Sequence, residues 1–195
     1  IDTGAMYRAV TYHVYENDID ILDDVVMKKY LKDLEIRFNL SNEIFLNGVN
    51  LSNDIRNVNI SSKVSDVSAV LAIREKMVQI QRKIGSSIDC VLEGRDIGTV
   101  VFPNADFKFF LDANITTRAK RRLYDYESLG KRYSLDKIKS SIKKRDEMDS
   151  NREHSPLKRA HESILIDTSN LTIKDQVNKI LGIIKKQEKE HQKYV

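Results

Sequence analysis

The sequence predicts an α/β fold, in which a parallel sheet is flanked by helices and carries a small antiparallel β insert. Two observations support this prediction. Short apolar runs alternate with amphipathic helical patterns, as is typical of a parallel sheet. Between residues 35 and 52 the apolar residues instead alternate around an Asn47-Gly48 pair, a strong hairpin signal. The chain has 195 residues, of which 41% are hydrophobic and 32% charged, which is enough to form one core.

The first part of the chain is predicted to form two helices and then the insert. We expect a helix over residues 6–15, after an Asp2-Thr3-Gly4 turn, and a second helix over residues 25–34. The alternating stretch 35–52 predicts a small antiparallel meander. Its size is that of an inserted lobe and not of a separate domain.

The rest of the chain is predicted to alternate helices with buried strands. Apolar residues at helical spacing predict one helix over 62–84, ended by Gly85. The predicted buried strands cover 88–92, 107–111 and 164–166, and further helices cover 116–128 and 134–149. Thr172 and Asp175 predict a capping box for a closing helix. The apolar face of that helix comprises Ile173, Val177, Ile180, Leu181 and Ile184.

The charge is unevenly distributed along the chain. The formal net charge is +4, but residues 118–145 hold eleven basic and three acidic residues, a local charge of +8. Such a positive segment suits a phosphate-bearing ligand or a nucleic acid, whereas a solvated helical face is the simpler interpretation. A nucleic-acid-binding module acting through residues 118–145 therefore stays open as an alternative. The negative remainder of the chain and the absence of a basic sheet with aromatic residues oppose it.

Several functional classes lack their motifs in this sequence. The four histidines show no metal-ligand spacing, and no Gly-x-Ser-x-Gly elbow of a serine hydrolase is present. Neither Gly-x-Gly-x-x-Gly nor Gly-x-x-x-x-Gly-Lys-[Ser/Thr] occurs. The single cysteine, Cys90, lies in an apolar run and predicts an inert core thiol in a reducing, cytoplasmic compartment. No apolar run approaches the roughly 20 residues of a membrane helix, so we expect no membrane partner.

Polar clusters occur where parallel strands are predicted to end, which is where open α/β sheets bind ligands. These clusters are Asp2-Thr3 with Arg8 beyond it, Glu93-Gly94-Arg95-Asp96, and Asp167-Thr168. In an Arg-Asp pair, the arginine offers a planar fork for phosphate and the aspartate accepts hydrogen bonds from an amine. Arg145, Asp149 and Arg152 follow one another at i, i+4 and i+7, which places them on one helical stripe. The stripe indicates either an anion site or a surface ladder of salt bridges.

These motifs together resemble the bacterial cytidylate kinases, the (d)CMP kinases among the P-loop nucleoside monophosphate kinases. The matching stretches are 1–8, 93–103, 144–152, 155–157 and 164–168, and the resemblance extends from Ile1 to about Ile184. It implies transfer of a phosphoryl group from ATP to CMP or dCMP, with Mg²⁺ required. We expect a monomer with no specific nucleic-acid partner. A different small-molecule kinase on the same fold is the remaining alternative.

The resemblance also implies a role for each site residue. The base pocket is expected to comprise Ser65, Arg74 and Asp96, where Asp96 and Ser65 accept the cytosine amine and Arg74 donates to the ring acceptors. The catalytic clamp on the acceptor phosphate is expected to comprise Arg8, Arg95 and Arg145. Thr3, Asp149 and Arg152 are expected beside the sugar and phosphate of the acceptor. The donor side is expected to involve the lid residues Arg118, Arg122 and Arg132.

The sequence departs from the family pattern at its start. In the family a strand, a P-loop and a helix, about thirty residues in all, precede the segment that begins here at Ile1. We therefore expect a single kinase domain over 1–195 that is N-terminally incomplete, with an acceptor-binding insert at about 35–84 and a helical lid at about 118–145. Without the P-loop this chain is expected to be inactive and to offer no metal ligands of its own, Mg²⁺ arriving with ATP.

Overall fold

The chain divides into two compact units in a computed structural model that describes residues 1–192. The first unit comprises Ile1–Pro103 and Glu147–Lys158. The second comprises Asn104–Asp146 and the chain from Arg159 onward. The last three residues of the charged C-terminal tail, which has no predicted role, lie outside the described residues.

Four helices and one small sheet form the first unit. The helices are α1 (Thr3–Glu16), α2 (Asp24–Lys32), α3 (Val58–Ala69) and α4 (Leu71–Gly85). Helix α1 packs against α3, and their shared core contains fully buried side chains at Met6, Val10, Val67, Ile73 and Met77. Burial of these apolar side chains holds the polar residues of α1 and α4 in fixed positions beside the core.

Helix α1 begins three residues earlier than predicted. The Oδ1 atom of Asp2 accepts a hydrogen bond of 2.9 Å from the backbone N–H of Ala5, so Asp2 is the N-cap. The stretch predicted as an Asp2-Thr3-Gly4 turn is therefore the cap and the first helical turn. The cap fixes the direction in which α1 leaves the segment that precedes it.

The antiparallel insert is confirmed. Strands β1 (Ile36–Phe38), β2 (Ile44–Leu46) and β3 (Val49–Asn50) pair in sequential order. At the hairpin between β2 and β3, Asn47 has φ 49° and Gly48 has φ 84°, the left-handed geometry that tight two-residue turns require. The buried side chains of this sheet join the core of the first unit.

The single helix predicted over 62–84 is wrong, because the structure divides it at Val70. That residue is extended, with φ −67° and ψ 120°, and separates α3 from α4. The break changes the phase of the apolar face: Leu71 is 45% exposed, whereas Ile73 and Met77 are fully buried. The new phase also turns Arg74 inward, where it is only 2% exposed.

A parallel pair of strands and three helices form the second unit. Strand β4 (Phe109–Asp112) pairs in parallel with β5 (Ile164–Asp167), which confirms the predicted α/β class. Helices α5 (Ile115–Ser128), α6 (Leu135–Asn151) and α7 (Ile173–Gln192) complete the elements, and the last residues of α6 belong to the first unit. The capping box of α7 is confirmed, because the Thr172 hydroxyl oxygen accepts from the backbone N–H of Asp175 at 3.2 Å and the Asp175 carboxylate accepts from the backbone N–H of Thr172 at 3.1 Å. None of the helices within residues 1–192 has both the length and the hydrophobicity needed to cross a bilayer.

The buried strand predicted over 88–92 is wrong. Ile88 is 59% and Val91 84% exposed, and Cys90 is half-buried rather than a core thiol. The segment pairs with residues 1–3 through three main-chain hydrogen bonds, which join Ile1 to Val91 and Glu93 and Thr3 to Glu93, and these make one isolated parallel bridge between Asp2 and Glu93 rather than a strand over 88–92. An apolar run predicts a strand, but a strand also needs a partner along its length.

The predicted burial is also wrong in parts of the second unit. Leu111 on β4 and Leu165 on β5 are 54% and 47% exposed. On α7, for which only a shared apolar face was predicted, Ile173 is 81% exposed, whereas Ile180 and Ile184 are half-buried. Within residues 1–192 no element of this unit covers these exposed side chains. The apolar pattern therefore predicted the helices and strands of this unit correctly, but it did not predict how exposed their side chains are.

Substitution of Gly94 is expected to destabilise the protein. A Cβ atom at this position would lie 2.5 Å from the Thr3 hydroxyl and 2.9 Å from Ile97. We expect Gly94→Ala to lower the free energy of unfolding by about 1–3 kcal/mol because of this overlap. The matched control is Gly182→Ala in α7, where a Cβ would meet nothing within 4 Å. That control should gain about 0.5–1 kcal/mol from helix propensity, and equal effects in chemical denaturation would contradict the packing argument.

Candidate active site

A buried ion pair joins α4 to the segment that follows Gly94. The guanidinium of Arg74 donates through Nη2 to the Oδ2 atom of Asp96, and the two side chains are only 3% and 6% exposed. The Nη1 atom of Arg74 donates to the backbone carbonyl of Ser68 at 3.0 Å. Two groups predicted for the base pocket are thus in direct contact.

A second ionic group lies in the same unit. The Nε atom of Arg95 donates to Oδ2 of Asp149 at 3.0 Å, and Nη1 of Arg152 lies 3.8 Å from Oδ1 of the same carboxylate. The side chains of Asp149 and Arg152 are 5% and 8% exposed, which excludes the alternative of a surface ladder for these two. Arg152 follows the end of α6, so it is not on the predicted helical stripe, and its Nε donates to the carbonyl of Ser155 at 2.7 Å.

These five side chains carry an excess of positive charge. Three guanidinium groups, from Arg74, Arg95 and Arg152, accompany the carboxylates of Asp96 and Asp149. Burial lowers the pKa of Arg152 and the positive charge of Arg74 lowers it further, whereas the carboxylates of Asp96 and Asp149 act in the opposite direction. A bound anion would offset the positive charge that the two carboxylates do not balance.

Three buried donors of this cluster have no hydrogen-bond partner among the described residues. They are the hydroxyl of Tyr7, Nε of Arg74 and Nη2 of Arg152. Burial raises the pKa of Tyr7 to about 12, so the phenol is a neutral O–H donor at physiological pH. Most buried polar groups are paired in native proteins, so a group of unpaired donors is typical of a site that binds an acceptor-rich ligand.

A pocket of about 330 Å³ lies beside the N-terminal part of α1. Arg8 and Arg56 line it, together with Ile44 and Ser52 of the insert and the segment after β3. The Nη2 atom of Arg8 donates to Oδ2 of Asp2 at 2.7 Å, so the N-cap of α1 also orients this arginine. Helix α1 therefore contributes Arg8 to this pocket and the Tyr7 ring to the surroundings of Arg74, which does not itself line the pocket.

Two further predicted residues have their positions fixed by backbone contacts. Thr3 is 3% exposed, and its hydroxyl donates to the carbonyl of Glu93 at 2.6 Å. Ser65 is half-buried on α3, and its carbonyl accepts a hydrogen bond from the Ser68 hydroxyl at 3.1 Å. The roles predicted for Thr3 and Ser65 at the acceptor stay predictions.

The remaining predicted arginines belong to the second unit. Nη1 of Arg118 lies 2.7 Å from Oδ2 of Asp146, and the guanidinium of Arg122 lies 5.1 Å from the centre of the Tyr126 ring. Arg132 is exposed, and Arg145 is half-buried on α6. Their predicted roles in the lid and the phosphate clamp stay predictions.

Within residues 1–192 no group of three or more histidine, cysteine, aspartate and glutamate side chains could hold a metal ion.

Comparison with known proteins decides the family. The family model described as cytidylate kinase matches residues 1–186. The chain belongs to the cytidylate kinase family. It is 44% identical to the cytidylate kinase of Lactobacillus johnsonii over 192 residues, covering 97% of this chain and 84% of the relative. It is 45% identical to that of Clostridium botulinum strain Langeland over 186 residues, covering 95% and 85%. The cytidylate kinase of Alkaliphilus oremlandii is 42% identical, with 95% and 85% covered.

Membership of the cytidylate kinase family makes the protein a phosphotransferase of the kinase type. Sequence reasoning missed two residues of its candidate site. Tyr7 lies inside the 1–8 stretch that carries the resemblance, but its helical spacing indicates only a core position. Arg56 ends a short 3₁₀ turn, Asp54–Arg56, and no motif in the sequence distinguishes it from other surface arginines.

Breaking the buried ion pair is expected to cost far more stability than breaking an exposed one. Arg74→Met leaves the Asp96 carboxylate buried without a counter-charge, which should lower the free energy of unfolding by about 3–5 kcal/mol. The control Arg118→Met removes the same group from a pair whose side chains are 35% and 31% exposed, and should cost less than about 1 kcal/mol. Thermal and denaturant unfolding measure both, and similar losses would contradict the assigned burial.

Proposed function

We propose that the protein transfers the γ-phosphoryl group of ATP to CMP or dCMP, giving CDP or dCDP for pyrimidine nucleotide metabolism. Family membership supports the acceptor, since the three relatives named above are cytidylate kinases. The observation that carries the proposal is the buried Arg74–Asp96 pair, with unpaired donors and an excess positive charge around it. A nucleoside monophosphate combines what this cluster lacks, namely hydrogen-bond acceptors and negative charge.

The chemistry of cytosine matches the Arg74–Asp96 pair. Cytosine presents an amino donor beside two acceptors, N3 and O2. The Asp96 carboxylate accepts from the amine with help from the Ser65 hydroxyl, while Arg74 donates to the ring acceptors. Uracil carries a carbonyl where cytosine carries the amine, so it would place an acceptor against Asp96. A buried site built for a donor discriminates strongly against such a substitution.

The acceptor phosphate is assigned to Arg8, Arg56 and Arg95 of the first unit, and the role of Arg145 rests on the family resemblance alone. Arg8 and Arg56 line one pocket, and Arg95 is held by Asp149 with its side chain 43% exposed. The planar guanidinium group binds two phosphate oxygens at once, so each arginine both positions the acceptor and neutralises its charge. Phosphoryl transfer depends mainly on such positioning and on electrostatic stabilisation of the transferred group.

The donor half of the proposal rests on the basic segment 118–145, taken as a lid. Its charge of +8 suits the ATP phosphates, with Arg118, Arg122 and Arg132 as the residues expected to approach them. Mg²⁺ bound to those phosphates would neutralise part of their charge, and Arg118, Arg122 and Arg132 would supply the remaining positive charge on the donor side. In this proposal the fold is that of the P-loop nucleoside monophosphate kinases, with residues 35–84 closing over the acceptor.

The same proposal describes a monomer in the cytoplasm that uses small-molecule substrates only. The single cysteine supports a reducing compartment. The 195 residues contain no Gly-x-x-x-x-Gly-Lys-[Ser/Thr] motif, so binding of the acceptor, rather than turnover, is the readout that isolates the residues described above.

Asp96→Asn is expected to reverse the base preference. The parent protein should bind CMP at least about a hundredfold more tightly than UMP, because UMP leaves buried polar groups unpaired. The asparagine amide can donate to the uracil carbonyl, so the variant should lose at least about tenfold in CMP affinity and keep or improve UMP affinity. Calorimetric titration measures the CMP-to-UMP ratio, which a general loss of folded protein would not change.

The control for this experiment is Asp66→Asn, the same substitution at an exposed position of α3 next to Ser65. It should leave both affinities unchanged. Equal binding of CMP and UMP by the parent protein, or an unchanged ratio in Asp96→Asn, would rule out the base-pocket assignment. Tighter binding of a different acceptor in a panel of monophosphates would instead favour another small-molecule kinase.

A further inference from the structure

Tyr7 lies against the ion pair without any hydrogen bond from its hydroxyl. The residue is 8% exposed, and its ring centre lies 5.5 Å from the guanidinium carbon of Arg74. The phenolic oxygen has no partner among residues 1–192. A buried tyrosine hydroxyl normally finds one, because leaving it unpaired costs stability.

The surroundings of Tyr7 are charged and rich in donors. Its neighbours include Arg74, Asp96 and Arg152, all of which act electrostatically on the phenol. Arg74 and Arg152 each also have one unpaired buried N–H group. The Tyr7 hydroxyl and one N–H group each from Arg74 and Arg152 therefore lie near one another, and none of them has an acceptor among the described residues.

We propose that Tyr7 is a substrate-binding residue whose phenolic O–H donates a hydrogen bond to an acceptor oxygen of bound cytidylate. This inference rests on the proposed function, since it names a further residue of the same acceptor site. CMP offers such oxygens on its base, its sugar and its phosphate, and it would satisfy the hydroxyl that the protein leaves unpaired. The cost of the unpaired group in the free protein is then part of how the site is prepared for its ligand.

A second tyrosine, Tyr30, also has a buried hydroxyl but lies away from the ionic cluster. Tyr30 also has an unpaired hydroxyl, and burial raises its pKa. It stacks on His13 with ring centres 5.4 Å apart, and no charged group acts on it as the arginines act on Tyr7. Tyr30→Phe therefore removes the same buried, unpaired hydroxyl in the same unit but away from the ionic cluster, which makes it a matched control.

The experiment compares Tyr7→Phe and Tyr30→Phe with the parent protein. Each variant keeps the ring and loses only the hydroxyl. We expect Tyr7→Phe to weaken CMP binding about tenfold in calorimetric titration, the loss typical of one neutral hydrogen bond. Its melting temperature without ligand should stay the same or rise, because an unpaired buried group has been removed. Tyr30→Phe should leave the CMP affinity unchanged.

The opposite results overturn the inference in distinguishable ways. Equal CMP affinity of Tyr7→Phe and the parent protein would overturn the role of Tyr7 and leave the proposed function standing. A lower melting temperature with unchanged affinity per folded molecule would show a structural role only. Failure of the parent protein to bind CMP would overturn the proposed function and this inference with it.

Shorter ligands then locate the hydrogen bond. If the tenfold loss persists with cytidine, which lacks the phosphate, Tyr7 contacts the nucleoside. If the loss disappears with cytidine but remains with CMP and dCMP, the contact is to the phosphate. If the loss is confined to CMP and cytidine and disappears with dCMP, the contact is to the 2′ oxygen. Each of these patterns supports a substrate contact.

Discussion

The buried ion pair between Arg74 and Asp96 is the constraint on which the organisation of the first unit depends. Neither charge can remain buried without the other, so helix α4 and the segment after Gly94 must meet at this point. Arg82 of the same helix reinforces the junction by donating to the carbonyls of Val100 and Val101 at 2.7 and 3.0 Å. These carbonyls belong to a π-helical turn, Ile97–Val101, that directly follows Asp96. One helix thus fixes both the acidic residue and the backbone that presents it.

Two features of the same cluster support its proposed role in binding a ligand. Buried N–H groups of Arg74 and Arg152 and the buried O–H of Tyr7 lack acceptors among the described residues, and the ionic side chains around them carry excess positive charge. The unpaired donors and the excess charge lower the stability of the free protein. Binding of an anionic, acceptor-rich ligand would offset that cost. The core of α1, α3 and α4 supplies the rigidity that holds the donors apart from one another.

Much of the local structure could be predicted from the sequence, whereas burial and long-range contacts could not. Asn47-Gly48 predicted its hairpin because few residue pairs adopt positive φ at both positions. The break at Val70 has no glycine or proline to mark it, and the 88–92 run has strand composition but no extended partner. At the site, the Arg95-Asp96 motif could be recognised from the sequence. Arg74 lies 22 residues from Asp96, and only the family resemblance predicted that both belong to one pocket. Tyr7 was missed because its helical spacing indicates only a position on a core face. The sequence does not reveal whether the tyrosine hydroxyl has a hydrogen-bond partner.

We propose that the Arg74–Asp96 pair recognises the cytosine base, and a crystal structure of the protein with bound CMP would reveal the contact itself. The cytosine amine should lie about 3 Å from the Asp96 carboxylate, with Arg74 donating to the ring acceptors and the phosphate against Arg8. A structure in which CMP binds elsewhere, with Asp96 bonded to Arg74 and to no atom of the base, would contradict it.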